Sequence, residues 1–321
     1  MAEMAGVEST DHAIERVKIG VMTEGDLHNV LEWAHQENWS PGDRDANPYL
    51  KADGDGFLIA KTESGRPVAS ISAVRFGENY GFIGFYITAP EFRGRGHGSA
   101  IFREAMGRLR GRTIGLDAVS AQQTNYAKHG FALAHQNVRF RGPMIVDTPT
   151  TSPPTTAPKQ DDGVYDGFVV QALTQNDHVN LVVAYDNEHV PSPRPEFTRA
   201  WLTNSGHIAR VALSTDNGGE IKGYGVLRPC SEGMRIGPLF AGSAEIADLL
   251  VRELVAASIS ADSSSAKATV FIDVPEPNIE GIRLAERLGL GRVCETGRMY
   301  RGPAPKLPLE RVFGVTSLEL G

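Results

Sequence analysis

"PEFRGRGHGSA", residues Pro90–Ala100, sits between two segments of opposite character. Before it, "GFIGFYITAP" is apolar and aromatic and reads as a strand stopped by Pro90. After it, "SAIFREAMGRLRG" sets Ile101, Phe102, Ala105, Met106 and Leu109 at helical spacing with arginines opposite. A glycine-rich, positively charged loop between a strand and a helix suits a phosphate: backbone N–H groups can turn toward the anion, and the helix start adds partial positive charge. Two familiar phosphate loops fit poorly. A P-loop needs Lys and then Ser or Thr after its last glycine, whereas Ser99 and Ala100 follow Gly98. A dinucleotide fingerprint would place an acid where Asp117 ends the next strand, but glycines at 94, 96 and 98 lack its spacing and the region opens with antiparallel hairpins.

The whole chain sets the frame. Its 321 residues allow about two domains, and 41% hydrophobic with 22% charged residues is the composition of a soluble globular protein. A net charge of −7 argues against nucleic acid or an anionic membrane as partner. The acidic start "MAEMAGVESTDHAIERVK" lacks the pattern of a signal peptide, and no apolar run approaches the roughly 20 residues of a spanning helix, so a cytoplasmic location is expected. Cys230 and Cys294 lack metal spacing; two buried thiols and no metal are expected.

"DTPTTSPPTTAPKQDDG" (147–163) is rich in Pro and Thr and reads as an extended linker. The expected organisation is a loosely ordered stretch over 1–16, one domain over 17–143, a linker over 144–165 and a second domain over 166–321. The first reads as mixed α/β: strand "VKIGVM", a helix capped by Thr23 with Asp26, strands "GFLIAKT" and "PVASISAVRF", then the loop region, strand "TIGLDAV", a short helix ended by Gly130, and a closing strand. The second repeats parts of this order: a strand and helix, a three-strand meander, the helix "SAEIADLLVRELVAASI", strand "KATVFIDV" and helix "NIEGIRLAERLG". "KHGFALAHQNVRFRGP" and "RLGLGRVCETGRMYRGP" close the two in the same way, which suggests duplication of one unit.

"Arg93-Gly94-Arg95-Gly96-His97-Gly98" matches the Gln/Arg-x-x-Gly-x-Gly/Ala motif of the GNAT superfamily of acyl-CoA N-acyltransferases. The lead-in Ile87–Phe92 resembles that family's, and "Tyr126-Ala127-Lys128-His129-Gly130-Phe131" matches its Y-x-K-x-G-F signature. An Asn usual seven positions before that Tyr is Val119 here. The chain also resembles a two-domain subgroup whose C-terminal half is a diverged GNAT-like domain, through "YGVLRPC", "RIGPLFA", "DVPEPN" and "RMYRGPAP". The fold implied is α/β (α+β mixed sheet): two tandem domains, each a mostly antiparallel sheet with a splayed central strand pair and flanking helices. In the second copy "IGPLFAGSAEIA" has no arginine and carries Glu245, so coenzyme A is expected only in the first.

The resemblance implies transfer of an acetyl group from acetyl-CoA to a primary amine of a small molecule by direct attack, with no metal. Ile87 and Thr88 would pair the pantetheine arm, and Arg93, Gly94, Arg95, Gly96, His97, Gly98 and Ser99 would hold the pyrophosphate. Tyr126 matches the general acid, its phenol protonated at neutral pH with a pKa of about 10. No acid stands on the strand where many relatives carry a glutamate, so the base is unassigned; Glu78 and Asp117 are the nearest carboxylates in sequence. Trp39, Asp186, Asp273 and Glu276 are candidate substrate contacts. A non-catalytic acyl-CoA sensor is the competing reading. Expected partners are acetyl-CoA and the amine, without nucleic acid or membrane, and a homodimer is left open.

Overall fold

The computed structural model describes residues 16–144, 164–165, 167–173, 176–216 and 218–321. Most of the expected N-terminal stretch and linker lie outside the described residues. β1 (Val17–Val21) leads into α1 (Glu24–Gln36), whose start is a reciprocal capping box: Thr23 N donates to Asp26 Oδ2 at 2.9 Å, and Asp26 N to the Thr23 hydroxyl at 3.1 Å. α2 (Ala46–Asp53) follows, an element not expected from the sequence. Its Asp45 makes no side-chain cap and instead meets Arg228 of the second half, so the local sequence carried no start signal. Next come β2 (Phe57–Thr62), β3 (Pro67–Phe76), β4 (Tyr80–Thr88), α3 (His97–Arg108), β5 (Thr113–Val119), α4 (Gln123–Lys128) and β6 (Ala132–Pro143).

The second half runs β7 (Val164–Tyr165), β8 (Phe168–Ala172), α5 (Asn176–Asp186), α6 (Pro195–Thr203), β9 (Ile208–Ser214), β10 (Ile221–Cys230), β11 (Gly233–Ala241), α7 (Ala244–Ala261), β12 (Thr269–Pro275), α8 (Ile279–Arg287), β13 (Gly291–Arg301) and β14 (Val312–Gly314). α6 begins at Pro195, where the missing N–H costs nothing in a first turn.

One sheet spans both halves in the order β1-β2-β3-β4-β5-β13-β6-β12-β11-β10-β9-β8-β7, with β14 added to β11. The two closing strands are therefore exchanged. β13, from the second half, pairs with β5 of the first, while β6 pairs with β12 of the second. The two lie side by side at the centre, antiparallel. Each delivers an arginine to the other half: Arg298 grips Asp117 on β5 at 2.8 Å, and Arg139 grips Asp273 on β12 at 2.7 Å. A large apolar cluster also crosses the divide, bringing Tyr49, Phe57 and Phe85 together with Trp201, Tyr224 and Phe240.

Candidate active site

β4 and β5 run parallel and in register from Tyr80↔Thr113 to Ile83↔Leu116, then part. The cause lies on the other edge of β4. Between Ser70↔Ile87 and Ser72↔Gly84 the strand holds one extra residue, a bulge at which Phe85 takes a φ of 46°. A left-handed aromatic is costly, and its surroundings hold it there: the Phe85 ring is buried against Tyr49 at 5.6 Å, and Ser70 Oγ donates to the Phe85 carbonyl at 2.7 Å. The bulge turns β4 away from β5 and opens a cavity of about 630 Å³ between them. One wall is Gly84–Thr88 and the other Asp117–Val119.

The glycine loop follows β4, and of its residues 93–99 Arg93 lines the cavity. Gly94 and Gly96 have φ of 76° and 83°, values that favour glycine, and a Cβ at either would meet no heavy atom within 4 Å. Gly96 is the residue before the first turn of α3, so the helix begins with an open concavity of backbone N–H groups at a positive dipole end. Gly98 serves another purpose: a Cβ there would stand 2.9 Å from Thr88 Oγ1, so its absence lets α3 approach β4. Ser99 is exposed. These features fit a diphosphate on the loop and an extended arm along Ile87 and Thr88.

Side chains of the loop behave less uniformly than expected. Arg93 lines the cavity, donating from Nε to the Thr88 carbonyl at 2.9 Å and pairing with Glu37. Arg95 is exposed, with its guanidinium 5.7 Å from the Phe92 ring. His97 is only 3% exposed, and its ring packs edge-on to Phe92 at 6.1 Å. A contribution from this residue would come through its backbone N–H.

Tyr126, on α4, lines the same cavity, half-buried between Phe102 at 6.2 Å and Phe131 at 5.9 Å. Burial, reinforced by Tyr86, pushes its phenol well above the usual tyrosine range. Trp39 also lines the cavity, and its carbonyl accepts from Arg139 at 2.9 Å and Arg235 at 3.3 Å. Val119 lines the opposite wall.

The other three candidate substrate contacts stand outside the lining. Asp186 is 0% exposed and is used up by Arg194, Thr198 and Tyr224. Asp273 is buried between Arg139 and Arg235, where it fixes Arg139, a residue that does line the cavity. Glu276 is exposed at the turn after β12. Asp117 reaches the cavity but is gripped by Arg298 and accepts from Asn137 Nδ2 at 2.9 Å; burial raises its carboxyl in spite of Arg298. Cys230 is buried as expected, whereas Cys294 is exposed and lines the cavity. Sequence reasoning missed what the second half contributes: Cys294 and Thr296 from β13, and Leu318 and Glu319 from the segment after β14. The buried Thr296 hydroxyl has no hydrogen-bond partner among the described residues. Tyr86 and Arg139 were missed too. No local motif marks any of these.

The second half repeats the splay and then fills it. β11 and β12 pair from Gly233↔Thr269 to Ile236↔Ile272, and a bulge follows on β11. Counting from the paired ends, Phe240 corresponds to Ile87, and Phe240 is paired by Val312 of β14. Val315 N then donates to the Asp273 carbonyl of β12 at 2.9 Å. The chain's own strand thus takes the place that is open in the first half.

Comparison with known proteins agrees with this duplicated geometry. The model described as "Acetyltransferase (GNAT) family" matches residues 25–134, and that described as "Acetyltransferase (GNAT) domain" matches residues 182–314. The chain is 29% identical over 294 residues to the holothin acyltransferase of Pseudoalteromonas sp. (strain SANK 73390), covering 91% of this chain and 90% of that protein. In fold it resembles a putative acetyltransferase from Pyrococcus horikoshii, with a TM-score of 0.71, 20% identity and coverage of 100% and 99%. It also resembles a tandem GNAT protein from the clavulanic acid biosynthesis pathway, with a TM-score of 0.62, 15% identity and coverage of 90% and 100%. With a GNAT model matching each half and the same tandem arrangement in solved structures, the protein belongs to the GNAT acyltransferases and carries two GNAT domains on one chain.

Proposed function

We propose that the protein moves an acetyl group from acetyl-CoA to a primary amine of a small molecule, and that Tyr126 protonates the departing sulfur. The observation that carries this reading is that the splayed strand, Arg93 beside the glycine loop, and Tyr126 all border one cavity. Backbone N–H groups of Arg95, Gly96, Gly98 and Ser99 would hold the diphosphate, and the unpaired edge at Ile87 would bind the pantetheine arm as an added strand. An N–H of β4 past the bulge would meet the negative charge that develops on the thioester oxygen. Because burial holds the Tyr126 phenol protonated, it can donate to the thiolate as the carbon–sulfur bond breaks. A small acceptor is supported by the size of the cavity, about 630 Å³.

Release of free thiol from acetyl-CoA over a panel of amines, amino acids, polyamines and aminoglycosides tests the reaction. We expect thiol release above hydrolysis with at least one of them. Tyr126→Phe should then lower kcat by about 10²–10⁴-fold while leaving acetyl-CoA affinity nearly unchanged, because the proton is needed only once the bond breaks. Equal activity in the variant would remove Tyr126 from this role.

A further inference from the structure

An amine with a pKa of roughly 10 must lose a proton to attack, and β4 supplies no acid to take it. Three carboxylates border the cavity: Glu37, Asp117 and Glu319. Glu37 is tied to Arg93, and Asp117 is held by Arg298 and Asn137. Glu319 is different. It is only 3% exposed, yet it reaches the cavity, and it accepts one long hydrogen bond of 3.4 Å from Tyr49 Oη. The basic groups whose fields reach it, Arg139, Arg228 and Arg235, are each paired elsewhere, with Asp273 or Asp45.

Its position is built into the fold. After β14 fills the second cleft, the chain passes the bulge of β11, where a Cβ on Gly237 would stand 2.6 Å from the Val315 carbonyl oxygen. It then crosses to the first half and lies against the bulge of β4, where a Cβ on Gly84 would overlap the Glu319 carbonyl oxygen. Gly84 is thus a notch in the splayed strand that admits the terminal segment. The carboxylate missing from β4 is returned to it from the other half of the chain.

Resting on the acyltransfer reading above, we propose that Glu319 is the general base for the acceptor amine. A carboxylate oxygen of Glu319 takes a proton from the bound ammonium and passes it to solvent, and the neutral amine nitrogen then bonds to the thioester carbon. The carbon–sulfur bond breaks, the sulfur takes the Tyr126 phenolic proton, and the surplus proton on the new amide nitrogen passes through solvent to the Tyr126 phenolate. From ammonium and thioester the sum is one amide, one free thiol and one released proton, with both side chains restored. The buried groups that interact with Glu319 are Tyr49 on α2, Arg139 on β6, Arg228 on β10 and Arg235 on β11. Tyr49 is kept protonated, since burial and its acidic neighbours Asp45 and Glu319 push its phenol far up.

The test uses the full chain, acetyl-CoA and the amine that the wild type acetylates fastest, beside hydroxylamine, which is already neutral at pH 7. Glu319→Gln should lose about 100-fold or more in rate on the basic amine, much less on hydroxylamine, and keep its acetyl-CoA affinity. A rate within about threefold of wild type on the basic amine overturns the proposal and leaves the acyltransferase reading standing. An equal loss on both nucleophiles makes Glu319 structural and overturns it as well. Absence of wild-type thiol release with every amine overturns both readings. Should Glu319→Gln fail to fold, Glu319→Asp decides by the same comparison, since it keeps the carboxylate but shortens its reach.

Discussion

As the proposed general acid, Tyr126 would combine two demands that conflict in water: holding its proton throughout the working pH range and releasing it when a thiolate forms. Packing against Phe102 and Phe131 meets the first by withdrawing solvent from the phenolate, so burial and then Tyr86 raise its pKa. The sign has a kinetic consequence. A raised pKa keeps the acid form present well past the ordinary tyrosine value of about 10, so Tyr126 should impose no alkaline decline on kcat between pH 7 and pH 10. A pH profile of thiol release at saturating substrate checks this. A decline centred near pH 8 that disappears in Tyr126→Phe would show that the phenol titrates where the packing says it cannot.

Two splayed strand pairs, built by the same device, have opposite fates. Each has four residues in parallel register, then a bulge, then a gap. In the first half, α3 brings a glycine loop to an open gap; in the second, β14 occupies the gap. One acetyl-CoA should therefore bind per chain, and Gly96→Val should abolish that binding, since a branched side chain at a φ of 83° strains the loop and enters the anion cradle. Isothermal titration reads both: a stoichiometry of two, or residual tight binding in the variant, would contradict the assignment. The elements that were legible in the sequence are those specified locally. The strand-loop-helix around residue 96 and the capping box at Thr23 depend on near neighbours, and so do the repeated closing strands. What was not legible depends on distant ones. α2 begins at an aspartate committed to Arg228, and β13 enters the sheet beside β5. Asp186 and Asp273 stood as candidate substrate contacts because charge near a strand end or turn usually faces solvent, yet each is buried against arginines, in Asp186's case Arg194 eight positions on and in Asp273's case Arg139 and Arg235.

The two halves are joined by buried charge as well as by exchanged strands and shared apolar core. Asp45 at the start of α2 pairs with Arg228 of β10 at 3.0 Å and approaches His207 Nε2 at 3.2 Å, while the Gly42 N–H donates to it at 3.0 Å. Burial alone would raise the Asp45 carboxyl; Arg228 and His207 outweigh it and bring the carboxyl down to about 2. A depressed folded pKa means stability that is complete above the unfolded value of about 4 and is lost as pH falls from there through about 2. The amount at stake is roughly 2 kcal/mol, by the linkage between pKa and folding. Asp186 and Asp273, also lowered by their arginines, act in the same direction, and Asp117, raised by burial, acts against them. Asp45→Asn separates this site from the others. At neutral pH it should destabilise the protein by about 3–5 kcal/mol, because Arg228 is left buried without its counter-charge. Between pH 5 and pH 2 the gap to wild type should narrow by roughly 2 kcal/mol, because the wild-type carboxylate is then neutralised and the amide has nothing to lose. Urea unfolding across that range measures both. A gap that stays constant with pH would mean that the Asp45 carboxyl titrates alike in the folded and unfolded chain, and that its pairing with Arg228 adds no pH-dependent stability.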